Sequence, residues 1–129
     1  MSKLGELAAS LAWPVFACSP DKRPIVKAGF RAATRDLTTS MTQFSQRGAV
    51  LIGVPTGAAS GLVAIDIDIR PRRDGRPWLA DHAGALPPTR THKTHSGGLH
   101  LLFRNPDGYD IRNSASRLAP GVDVRGEGG

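Results

Sequence analysis

The chain has 129 residues, with 17 Lys and Arg against 11 Asp and Glu, 40% apolar and 22% charged residues, one cysteine and seven aromatics. That is the balance of one modest folded domain, and it excludes collagen-like, disordered and disulfide-scaffold classes. The net charge of +6, with 13 of the 17 basic residues arginine, favours phosphate-bearing partners because guanidinium forms forked bonds to phosphate, although an arginine excess also follows from a GC-rich genome.

The longest apolar stretches, such as residues 61–65, fall far short of the roughly 20 residues that cross a bilayer. Met1-Ser2-Lys3-Leu4-Gly5-Glu6 lacks the basic region and apolar run of a secretory signal. The expectation is therefore a cytoplasmic protein with no membrane partner. Cys18, beside Val15, Phe16 and Ala17, reads as a buried thiol with no chemical role.

In chain order, Leu4, Leu7, Ala8, Leu11 and Ala12 recur at helical spacing over residues 3–13. They predict a first helix capped by Ser2 and stopped by Pro14. Val15-Phe16-Ala17-Cys18 predicts a strand, then a Ser19-Pro20-Asp21 turn and a basic segment, 22–27. A second helix is expected from a Thr38 or Thr39 cap through Arg47, with Met41 and Phe44 inward and Gly48 as its end. Residues 49–54 and 62–69, separated by a glycine-bearing loop at 56–61, predict buried, adjacent strands.

A polar loop, 70–76, leads to a short helix near 78–83, and Pro87-Pro88 begins an extended stretch. Residues 89–95 and 99–104 predict a hairpin around Ser96-Gly97-Gly98. The last elements are a strand fragment at 121–125 and a terminal loop, Gly126-Glu127-Gly128-Gly129.

Ile65-Asp66-Ile67-Asp68-Ile69 places two carboxylates in an otherwise β-branched strand. Strand alternation points Asp66 and Asp68 to one face, with Cα atoms about 6–7 Å apart. Like charges on a partly buried face require a counter-charge, a divalent cation or a basic cluster, and magnesium or manganese suits carboxylate oxygen. The bland alternative is a strand end whose aspartates face solvent beside Arg70, Arg72 and Arg73.

Thr94-His95-Ser96-Gly97-Gly98-Leu99-His100 joins a small-residue turn, able to approach a phosphate, to a histidine at the start of a strand. Alternation sets His100, Leu102 and Arg104 opposite Leu99, Leu101 and Phe103. His92 and His95 lie in the same region but lack further ligands at zinc spacing, so no zinc is expected. Asp123, flanked by Val122 and Val124, is a third carboxylate on another strand, the complement a two-metal phosphoryl-transfer site requires.

Asp-x-Asp strand, small-residue turn to His, and apolar-Asp strand, in that order, resemble the three motifs of the bifunctional DNA primase/polymerase N-terminal domain, a branch of the archaeo-eukaryotic primase superfamily. The similarity continues in Pro14-Val15-Phe16, Lys22-Arg23-Pro24, Gly29-Phe30, Ile52-Gly53-Val54-Pro55-Thr56-Gly57, Leu86-Pro87-Pro88-Thr89 and Pro120-Gly121-Val122-Asp123-Val124-Arg125-Gly126. It covers the chain from about Leu11 to Gly129.

The resemblance implies an α+β fold, with a small N-terminal α/β unit and a mainly antiparallel, RRM-like palm sheet. Asp66, Asp68 and Asp123 would bind Mg2+ or Mn2+, and His100, beside Ser96, Gly97 and Gly98, would lie near the phosphates of an incoming nucleotide. Lys22, Arg23 and Lys27 are expected triphosphate or template contacts, or a solvated basic loop. Arg70, Arg72, Arg73 and Arg76 are expected to track a DNA backbone, or to form a charged surface loop. The few aromatics argue against a base-stacking platform.

The implied activity is template-dependent primer synthesis and extension from nucleoside triphosphates. Members often continue into a helicase, yet no Walker-type phosphate loop occurs here. The family pattern continues past Gly-Glu-Gly-Gly, so the expectation is a C-terminally truncated domain of 1–129 whose strand at 122–125 is an exposed edge. The rivals are a metal-dependent nuclease or phosphatase using the same carboxylates, and a non-catalytic nucleic-acid- or nucleotide-binding module.

Overall fold

The helix read from the first apolar repeat forms as α1, Lys3–Ser10, in the computed structural model, which describes residues 2–129. The Ser2 hydroxyl accepts the Gly5 N–H at 3.0 Å, as expected of an N-cap. The helix ends three residues earlier than predicted, because Leu11 is already extended. Two units follow from the packing of the chain, Met1–Pro55 and Thr56–Gly129, each with its own buried cluster, where the length had suggested one core.

In the first unit β1, Phe16–Cys18, is fully buried and pairs antiparallel with β2, Leu51–Gly53. This corrects the expectation that the segment at 49–54 is buried beside the strand at 62–69: Leu51 is exposed, and β2 joins β1 in a two-stranded sheet. A 3-10 turn, Gly29–Ala32, precedes α2, Leu37–Phe44. Asp36, rather than Thr38 or Thr39, caps α2, its carboxylate accepting the Thr39 N–H and hydroxyl at 2.9 and 2.6 Å. These bonds hold the Asp36 carboxyl below its usual pKa.

Phe44 is buried, but Met41 is 38% exposed, against its inward assignment, and the helix ends four residues before Gly48. Ala8, Val15, Ala17 and Phe44 form the unit's core. Buried Gln43 stitches it together: its Oε1 accepts the Ala17 N–H at 3.1 Å, and its Nε2 donates to the Ala32 carbonyl at 2.9 Å. Both halves of a buried amide are thereby satisfied. Burial raises the Cys18 thiol pKa, in keeping with an unreactive core cysteine.

The second unit is built on β3, Leu62–Ile67; β6, Arg90–Lys93; β7, Leu99–Arg104; β8, Ser114–Ala119; and β9, Val122–Arg125. They form one antiparallel sheet in the order β6-β7-β3-β9-β8. Alternation divides the faces as predicted. Ile67, Leu101 and Val122 are buried on one side with Ile65, Leu99 and Phe103, against Trp78, Leu79 and Leu86. Trp78 and Leu79 come from α3, Arg76–His82.

The polar loop expected at 70–76 contains a small hairpin, β4, Ile69–Arg70, with β5, Arg73–Asp74. Its Pro71-Arg72 connection, with Arg72 at φ +65°, has the pattern of a type II turn. Strand β8 was not read from the sequence, and its presence corrects the exposed edge expected at Val122–Arg125: β9 lies between β3 and β8. The terminal loop is also tied down, with Thr56 N–H donating to Gly129 O at 2.9 Å and the Thr56 hydroxyl to Gly126 O at 2.6 Å.

Candidate active site

The polar face of the five-stranded sheet follows from register. His92, His100, Asp66 and Asp123 are successive partners across β6, β7, β3 and β9, so all four belong to one face. Asp68 follows β3 and prolongs the same line, its N–H donating to Gly121 O at 2.8 Å.

Asp123 is the most enclosed of the three carboxylates, at 4% exposure. Its Oδ1 accepts the Ser116 N–H at 2.9 Å. The β8–β9 register shifts between Ser114 and Ala119, and Ser116 has φ +54°. A bulge turns a backbone donor out of the ladder in this way, and here it is directed at a carboxylate.

Two arginines supply the counter-charge. Arg73 Nη2 lies 3.6 Å from Asp68 Oδ2 and 3.5 Å from Asp123 Oδ1. Arg125 Nη2 lies 4.0 Å from Asp66 Oδ2 and 3.6 Å from Asp123 Oδ2. His100 Nε2 stands 3.5 Å from Asp66 Oδ1. A chain of alternating charges thus runs Asp68, Arg73, Asp123, Arg125, Asp66, and the His100 imidazole stands at its end. The sequence groups Arg73 with Arg70 and Arg72, as nucleic-acid contacts or as neighbours of solvent-facing aspartates, and does not single out Arg125; the structure sets both Arg73 and Arg125 against the carboxylates. Arg70 and Arg72 are exposed on the hairpin.

Close backbone approach fixes where Arg73 begins. Gly75 N–H donates to Asp68 O at 2.8 Å. A Cβ on Gly75 would meet Gly121 O at 2.7 Å, and one on Gly121, at φ +78°, would meet the Arg73 backbone at 2.6 Å. Two glycines therefore let the β4–β5 hairpin press against the turn into β9.

The hairpin tip places Ser96, Gly97 and Gly98 between β6 and His100 on β7. Gly97 N–H donates to Thr94 O at 3.0 Å, and Thr94 N–H to Gly98 O at 2.9 Å. Beside His100, His92 accepts a bond from Arg90 Nε at its Nε2, 2.8 Å. Burial first, then Arg90 and His100, lower the His92 pKa below the ordinary histidine value. Lys22 and Arg23 lie in the first unit, both exposed, with Arg23 Nε 3.4 Å from Asp21.

The donors are oxygens of three carboxylates on one face, a donor set that suits hard divalent cations such as Mg2+ or Mn2+. Their arrangement is that of carboxylates held by guanidinium: among the described residues no three His, Cys, Asp or Glu side chains are disposed as a ligand set. No helix among the described residues is long and apolar enough to cross a membrane.

In comparisons with known proteins, the family model described as bifunctional DNA primase/polymerase, N-terminal, matches residues 5–129. Nothing matches among curated proteins or among solved structures.

Proposed function

Because the chain belongs to the bifunctional DNA primase/polymerase N-terminal family, we propose that the acidic sheet face is a nucleotidyl-transfer site. Its reaction is template-directed synthesis and extension of primers from nucleoside triphosphates. The observation that carries this reading is the common face of Asp66, Asp123 and His100, given by strand register, with Asp68 joined to Asp123 through Arg73.

Asp66, Asp68 and Asp123 would hold Mg2+ or Mn2+. A divalent ion there would favour ionisation of an attacking 3′-hydroxyl and neutralise charge on the phosphates. The chain's own residues orient the reactants. His100, next to Asp66 and at the exit of the Ser96-Gly97-Gly98 turn, is placed to contact phosphate oxygens of the incoming nucleotide. Asp123, fixed by the Ser116 N–H, supplies a rigid carboxylate from a second strand.

The expected partners are a DNA template, nucleoside triphosphates and a helicase domain or subunit, in the cytoplasm. Arg70 and Arg72 are proposed to contact the template backbone. Incubation with a single-stranded template, labelled nucleotides and manganese should yield product from the unaltered chain and none from D66N/D68N. The guanidinium-held carboxylates favour one rival, a nucleic-acid-binding module without turnover. Such a module would bind DNA in a salt-dependent way and incorporate nothing under either condition.

A further inference from the structure

Arg73 links two carboxylates that come from different parts of the sheet, one after β3 and one within β9. Three features distinguish its role from that of a surface ion pair. The first is the asymmetry of enclosure. The Asp123 side chain is 6% exposed and anchored by the Ser116 N–H, whereas the Arg73 side chain is 47% exposed. Of the two, only the arginine has an open path to water.

The second feature is looseness. Arg73 stands 3.5–3.6 Å from its acceptors, whereas Arg76 on the same segment closes on Asp74 at 2.7 Å through a fork. Strong charge-assisted bonds fall at about 2.7–2.9 Å. The Arg73 contacts are longer, those of a charge that neutralises without being locked. The third is the backbone. Packing of Gly75 and Gly121 fixes the hairpin, so the position of Arg73 beside this pair is built into the fold while its guanidinium retains freedom to leave.

We propose that Arg73 is a positioning residue, the resident counter-ion of the Asp68–Asp123 pair, and that a divalent cation binds these carboxylates by displacing its guanidinium. This rests on the reading of Asp66, Asp68 and Asp123 as the metal-binding carboxylates. Guanidinium and cation both require the oxygens of Asp68 and Asp123. While it is in place, Arg73 keeps two like charges together in the metal-free chain, and its release is a cost the incoming ion must meet.

The test is titration of Mn2+ into the whole chain, followed by calorimetry and by the resonance signal of free Mn2+, for the unaltered protein and for R73A, R73Q, R73K and R72A. Each variant's fold is checked by circular dichroism, and R73Q carries the same prediction should R73A fail to fold. R73A is expected to bind Mn2+ about three- to tenfold more tightly, from the loss of two half-exposed pairs. R73K should fall between R73A and the unaltered chain. R72A, which removes an equal charge from the same hairpin, should stay within about twofold, as screening dictates for a charge not in contact. Without metal R73A should melt below the unaltered protein, and saturating Mn2+ should close that gap.

Mn2+ affinity that is unchanged or weaker in R73A, or an equal gain in R72A, overturns the displacement role while leaving the metal site standing. Folded protein that takes up no Mn2+ in any form overturns the metal reading itself, and the displacement role with it.

Discussion

Asp66 and Asp123 are direct partners across the β3–β9 ladder, two carboxylates facing one another at the centre of an antiparallel sheet. Like charges so placed repel, and the structure meets this with Arg125 reaching both and Arg73 reaching Asp123. Removal of the more buried member should therefore be costly. D123A leaves the Ser116 N–H without its acceptor and two guanidiniums short of charge, and should lose about 2–4 kcal/mol of stability. D123N keeps an oxygen for Ser116 and should lose less. Chemical denaturation of the two variants checks the order, and equal losses would place the cost in charge alone.

His100 pairs with Asp66 from β7, its Nε2 3.5 Å from Asp66 Oδ1. H100A should lower nucleotide incorporation by about 10²-fold, the usual effect of deleting one donor to a reacting phosphate or oxyanion. The loss should appear largely in kcat, with DNA affinity unchanged. Steady-state incorporation at varied nucleotide, set beside a DNA-binding titration, separates the two.

His92 offers a pH test. Its pKa lies below the ordinary histidine value in the folded chain, through burial first and then Arg90 and His100. The unfolded chain then binds the proton more readily, so stability rises with pH wherever that difference holds. It should fall as pH drops through about 6.5, the unfolded value, until the lower folded pKa is passed. H92Q should flatten this decline. Urea midpoints at neutral and mildly acidic pH measure it, and parallel slopes for H92Q and the unaltered chain would contradict the assignment.

Arg70 and Arg72 are predicted to act on DNA through phosphate. R70A and R72A should each weaken binding across sequences and reduce the slope of log affinity against log salt by about 1. Fluorescence anisotropy over a range of salt reads this directly. Unchanged slopes would leave the hairpin arginines as solvated surface.

The acidic strand was legible because aspartate within a β-branched run breaks the apolar alternation at two positions. The same alternation correctly divided His100 and Leu102 from Leu101 and Phe103. The partner of each strand was not legible. Residues 49–54 carry an apolar run that says nothing of what they pair with, and they join β1 instead of β3. Strand β8, Ser114–Ala119, has no period-two pattern because its register breaks at a bulge. That bulge, with a left-handed serine where glycine would be expected, is also why Ser116 escaped notice as a donor to Asp123. Arg73 was hidden among neighbouring arginines. Only the turn at Pro71-Arg72 and the contact of Gly75 with Gly121 decide which of them meets the carboxylates.

The central claim, that the carboxylate face performs nucleotidyl transfer, is tested most directly by incorporation of labelled nucleotides on a single-stranded template with manganese, comparing the unaltered chain with D66N/D68N. The account predicts template-dependent product from the first and a loss of at least about 10³-fold in the second. No product from the unaltered, folded chain, or equal product from both, would contradict it.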